Sequence, residues 1–147
     1  GRRLEVLVEG RAEETEHLIG MHPHVEHFLS ALHASEKFVA LVTNAHPGTL
    51  AFKLERVPMG HYFDALVTSH DYGLPKEERG FWERLRDKHP FEPARTLFMD
   101  DSQAVLDAAS AFGIRHVIGI TAPDSRNADR PISGVQTIRD FSELNPL

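Results

Sequence analysis

The stretch Arg95-Thr96-Leu97-Phe98-Met99-Asp100-Asp101-Ser102 constrains this chain more than any other. Thr96 to Met99 are β-branched, aliphatic or aromatic, and they end abruptly at two adjacent carboxylates. Gln103 to Ala111, which follow, are mostly good helix formers. A short continuous apolar run suits a strand covered on both faces, so the acids fall on the turn from a buried strand into a helix. In open parallel sheets, ligands bind just outside the carboxyl ends of the strands, which makes acids at such a turn candidates for a site. Helix capping accounts for one of them, because Asp101 or Ser102 can accept the first free amides. Capping needs only one residue, and the other acid is left for chemistry.

The pattern of strand, polar turn and helix recurs. Lys37 to Val42 is nearly continuously apolar and ends at Thr43-Asn44, and Thr49 to Arg56 follows as a helix. Asp64 to Ser69 gives another short strand. After it, Lys76 leads a charged helix with Phe81, Trp82 and Leu85 on its inner face. A lysine at a helix start opposes the helix dipole, so it either holds an anion beside the amides or is a plain surface lysine. Ile114 to Ile120 supplies a further strand. Thr121 to Gly134 is rich in Pro, Asp, Ser, Asn and Gly and reads as loop, with a weak Val135 to Ile138 segment and a short helix over Asp140 to Leu144 after it.

Upstream, Val25, Phe28, Leu29 and Leu32 repeat at helical spacing and predict a helix from Pro23 to Ala34. The histidines at its start, His22, His24 and His27, lack a recognised ligand spacing and read as solvated or hydrogen-bonded. Residues 1–19 fit two patterns. Leu4, Val6 and Val8 alternate like a strand, yet Leu4, Leu7, Val8, Thr15, Leu18 and Ile19 also share one face of a helix. Helix is preferred because Glu9 to Glu16 is acidic and contains alanine, although Gly10 weakens it by about 1 kcal/mol relative to alanine. Strands alternating with helices at these intervals predict an α/β chain with a mainly parallel sheet and helices on both faces.

Composition removes whole classes of function. With 16 basic against 22 acidic residues, the net charge is -6, which gives no footprint for nucleic acid. The absence of cysteine excludes disulfides, thiolate metal sites and cysteine nucleophiles. No apolar run approaches the roughly 20 residues of a membrane span, and the first residues lack a signal-peptide core, so a cytoplasmic, membrane-free protein is expected. The 147 residues fit one domain.

Thr43, Lys76 and Asp100-Asp101 each follow a different predicted strand, and a parallel sheet would bring them to one edge. A hydroxyl with neighbouring amides suits phosphate oxygens, an ammonium neutralises charge, and carboxylates suit a hard cation such as Mg²⁺.

The order Thr43-Asn44, then Pro75-Lys76, then Phe98-Met99-Asp100-Asp101-Ser102 with Ala108-Ala109 and Gly113-Ile114 resembles motifs two, three and four of the haloacid dehalogenase (HAD) superfamily. A response-regulator receiver has a similar fold and residue set, but its acidic pair precedes its threonine and lysine. Thr-Asn-Ala-His-Pro (43–47), Lys-Leu-Glu (53–55), Pro-Lys-Glu (75–77), Arg-Thr-Leu-Phe-Met-Asp-Asp-Ser (95–102) and Pro-Asp-Ser (123–125) resemble the bacterial GMP/IMP 5′-nucleotidase branch. The similarity covers the chain from about His22 onward.

The resemblance implies a HAD-like Rossmannoid three-layer sandwich over residues 23–147, with residues 1–22 the remnant of a helical cap or linker. It implies that Thr43 and the Asn44 amide bind the phosphoryl group, that Lys76 steadies the nucleophile and phosphate, and that Asp101, with Asp100 beside it, holds Mg²⁺. The implied substrate is a small phosphate ester such as GMP or IMP. Alternatives are a sugar phosphatase, a haloacid dehalogenase or a catalytically inactive binding or assembly module. Val105 stands where many relatives carry a further acid.

Relatives act through an Asp-x-Asp motif at the end of their first strand, and no two aspartates here are two residues apart. The chain is therefore expected to begin too late to include the nucleophile and to show no turnover alone. Loss of that strand would leave a gap near twice the spacing of about 4.8 Å between neighbouring strands, or force a rearrangement. Leu4 to Val8, another chain or a longer native protein would fill the gap, and the last is preferred. An exposed gap would also give a reason to form a homo-oligomer.

Overall fold

The computed structural model describes residues 5–10, 23–35, 37–56, 60–121, 131–139 and 143. In chain order the elements are β1 (Glu5–Gly10), α1 (Pro23–His33), β2 (Phe38–Thr43), α2 (Pro47–Arg56), β3 (Ala65–Thr68), α3 (Arg79–Lys88), β4 (Thr96–Asp100), α4 (Gln103–Phe112), β5 (His116–Ile120) and β6 (Gln136–Ile138). Among the described residues the strands form one sheet in the order β3-β2-β1-β4-β5-β6, and every neighbouring pair is parallel.

The sheet separates two apolar layers because alternate residues of each strand point to opposite faces. Ala40, Val42, Val67 and Phe98 pack on one side with Phe81, Trp82 and Leu85 of α3 and Val105, Leu106 and Ala109 of α4. Val39, Leu97, Met99, Ile118 and Ile138 pack on the other with Phe28, Leu29 and Leu32 of α1. This is the expected three-layer sandwich, and strands β2 and β4 are covered on both faces.

The central position corrects two expectations. Glu5–Gly10 is a strand, not part of a helix, and it occupies the slot between β2 and β4, so no gap opens in the sheet. Val6 lies opposite Val39 and Leu97, and Val8 opposite Leu41 and Met99. The physical reason is the state of the flanking strands. Without a partner, the inward edges of β2 and β4 would bury a row of unpaired amides and carbonyls. Residues with β-branched side chains at alternate positions meet that demand, and tertiary context outweighs the weak helix propensity of the segment.

Lys76 is also corrected. Helix α3 starts at Arg79, and Lys76 lies ahead of it in a turn closed by the Glu78 amide donating to the Pro75 carbonyl at 3.0 Å. Downstream, Gly113 takes a left-handed conformation (φ 115°) that ends α4, and β5 starts at His116 instead of Ile114. Residues 11–22, most of the expected 121–134 loop and all of the expected 140–144 helix except Glu143 lie outside the described residues.

Candidate functional site

The carboxyl edge of the sheet gathers the residues singled out by the sequence. Thr43 is the last residue of β2 and Asp100 the last of β4, and Lys76 and Asp101 sit in the turns that follow β3 and β4. Thr43, Lys76, Asp100 and Asp101 are all buried. The central link is an ion pair in which Lys76 Nζ donates to Asp100 Oδ2 at 2.9 Å. The same ammonium donates to the Val42 carbonyl at 3.4 Å, so Lys76 reaches from its turn across the end of β2 to β4.

Asp100 has both oxygens engaged. Its Oδ1 accepts the amides of Asp101 (2.7 Å) and Ser102 (2.9 Å), which fixes the carboxylate at the entry to α4. Ser102 occupies the N-cap position of α4 without a side-chain cap bond, and Asp100 takes the amides of the turn before it. Burial pushes the Asp100 carboxyl up from 3.8 to about 6, while the Lys76 ammonium and the Ser102 amide pull it down. Desolvation outweighs both.

Asn44 does more than the sequence indicated. Its Oδ1 accepts the Lys76 amide at 3.0 Å, and its Nδ2 donates to Glu77 Oε1 at 2.9 Å, so the side chain ties the end of β2 to the turn that carries the lysine. Thr43 Oγ1 accepts the Ala45 amide at 3.0 Å, which shapes the loop after β2. Beside it in register is Thr68, the last residue of β3. Its hydroxyl is buried with no hydrogen-bond partner among the described residues. Sequence reasoning passed over Thr68, although it ends an apolar run just as Thr43 does. It placed Trp82 on the inner face of a helix but not beside Lys76, whose carbonyl accepts the indole N–H at 2.9 Å.

The donor set fits a small hard cation. Mg²⁺ takes one or two protein carboxylates and completes its shell with water and phosphate oxygens, and Asp100 and Asp101 are the two carboxylates here that would hold it. Among the described residues there is no cluster of three acidic, histidine or cysteine ligands.

A parallel α/β sheet that gathers a threonine, a lysine and paired aspartates at its carboxyl edge is the architecture of this chain. The profile of the family described as haloacid dehalogenase-like hydrolases matches residues 3–119, and the chain belongs to that family. Among individual proteins, it is 43% identical over 119 residues to the GMP/IMP nucleotidase YrfG of Escherichia coli K12, covering 81% of this chain and 54% of that protein. It is 32% identical over 125 residues to the phosphoglycolate phosphatase of Salmonella paratyphi A, covering 84% of this chain and 49% of that one. The chain thus spans about half the length of the curated relatives it matches. In three dimensions it is similar to a β-phosphoglucomutase-like protein of Thermotoga maritima, with a TM-score of 0.71 at 18% identity over 86% of this chain and 58% of the other. At that identity the likeness concerns the fold.

Proposed function

We propose that this chain is the core of a Mg²⁺-dependent phosphoric monoester hydrolase acting on purine nucleoside 5′-monophosphates. The observation that carries the reading is the buried Lys76–Asp100 pair beside Thr43 and Asp101 at one sheet edge. The 43% identity to a GMP/IMP nucleotidase supports the nucleotide as substrate. In this reading residues 1–22 derive from a cap or linker, with Glu5–Gly10 taken into the sheet, and residues 23–147 form the core. The setting is cytoplasmic. No described helix is long and apolar enough to cross a membrane.

Each residue has a distinct task. The Thr43 hydroxyl and the Asn44 backbone amide receive phosphoryl oxygens, and the Asn44 side chain holds that loop against the lysine turn. Lys76 offsets the charge gathered at the edge and keeps Asp100 oriented. Asp101 and Asp100 hold Mg²⁺, which when bound neutralises phosphate charge. Family chemistry passes through an aspartyl-phosphate, and the Asp-x-Asp nucleophile motif is absent from these 147 residues. The carboxyl end of β1 carries Glu9-Gly10 there, opposite Val42 and Thr43. That observation favours a second reading, a binding or assembly module that keeps the fold and binds phosphate without turning it over. The phosphoglycolate phosphatase relative keeps other small phosphate esters open as ligands.

Isothermal titration of the chain with Mg²⁺ and inorganic phosphate, paired with phosphate release from GMP and IMP, tests this. The expected result is joint binding of Mg²⁺ and phosphate, weakened at least tenfold by Asp101→Asn, with no turnover. Failure to bind either ion would remove the phosphatase reading. Turnover abolished by Lys76→Ala would instead show that the chain is active as it stands.

A further inference from the structure

We propose that Trp82 is a positioning residue for Lys76, and that its indole N–H, not only its bulk, holds the lysine in place. Lys76 lies in a turn, where no helix or sheet ladder fixes its backbone. Both its main-chain groups are nevertheless held by side chains. Asn44 Oδ1 accepts its amide, and Trp82 Nε1 donates to its carbonyl at 2.9 Å in a buried bond. The lysine is thus fixed at its root as well as at its tip.

The indole is itself fixed. Phe81 meets it edge-on at 5.2 Å and Phe98 at 4.9 Å between ring centroids. Phe98 lies two residues before Asp100 on β4. One side chain therefore registers the turn carrying the ammonium against the strand carrying its carboxylate. A phenylalanine would fill most of the same space and leave the buried Lys76 carbonyl without its donor, which costs more than never having made the bond. The consequence for catalysis rests on the phosphatase reading, but the positioning itself does not.

The test uses the native lysines of the whole chain. Trp82 is replaced by β-(3-benzothienyl)alanine, which has the shape of tryptophan with sulfur in place of N–H, and separately by phenylalanine (Trp82→Phe). Each protein is acylated under native conditions with an N-hydroxysuccinimide ester and read peptide by peptide by mass spectrometry. Lys37, Lys53 and Lys88 are internal references. The expected result is that Lys76 labels about fivefold faster in both variants, the factor one net hydrogen bond is worth, while the references stay unchanged. Unchanged labelling of Lys76 in the benzothienyl variant, or a rise no larger than the loss of global stability accounts for, measured by urea unfolding followed by circular dichroism, overturns the proposal and leaves Trp82 a core filler. No turnover or phosphate binding enters this readout, so a failed phosphatase reading would leave its result intact.

Discussion

Lys76 Nζ meets Asp100 Oδ2 at 2.9 Å across the carboxyl edge of the sheet, joining the turn after β3 to the last residue of β4, with both side chains buried. A buried pair of this kind is weak evidence of net stabilisation, but removing one partner strands the other charge. Lys76→Met is expected to destabilise the chain by about 3–5 kcal/mol at pH 7. Urea unfolding followed by the fluorescence of Trp82, the single tryptophan, measures it. A variant as stable as the original would show that Asp100 is already neutral in the folded chain.

The raised Asp100 carboxyl predicts a pH dependence of defined sign. Between 3.8 and about 6 the folded chain binds more protons than the unfolded one at this group. Its contribution to stability is therefore full below 3.8 and is lost as the pH rises through about 6. Asp100→Asn imitates the protonated side chain without titrating. The stability of the original relative to Asp100→Asn should be higher at pH 5 than at pH 7, and an equal difference at both would contradict the assignment.

The central strand offers a backbone test. Val8 is paired on both sides, with Leu41 and Met99, so Val8→Pro breaks the ladder in its middle. The expected outcome is a loss of at least about 2 kcal/mol, since a buried group left unpaired costs about 1–3 kcal/mol. Hydrogen exchange should quicken at the amides of Val39 to Val42 and Leu97 to Met99. Unaltered protection there would mean that β1 does not hold these strands together in solution.

Gly113 isolates a conformational effect. Its φ of 115° lies where side chains are strained, while a Cβ there would meet nothing within 4 Å. Gly113→Ala should cost about 1–2 kcal/mol from the backbone alone and lower the melting temperature by about 3–6 °C. A calorimetric scan measures it, and a melting temperature that does not move would remove the strain argument.

Much of the site was legible because its parts are local. Apolar runs ending at Thr43-Asn44 and at Asp100-Asp101 mark strand ends by composition alone, and the alternation of strands with helices forces them to one edge. The inner face of α3 was equally legible, because Phe81, Trp82 and Leu85 repeat at helical spacing and all three are buried.

What the sequence by itself determined, then, is the order of elements and the end of the sheet on which the polar residues stand. Tertiary structure decided the rest. Glu5–Gly10 satisfies either periodicity, and it is a strand because β2 and β4 present unpaired backbone on both sides of one slot. Lys76 reads as a helix start, and it is a buried ammonium because Asp100 and Val42 meet its tip while Asn44 and Trp82 hold its main chain, all from three separate segments. Asp100 reads as a metal ligand, and its raised pKa does not follow from that role. It comes from removing a carboxylate from water, a quantity that exists only once the chain has closed around it.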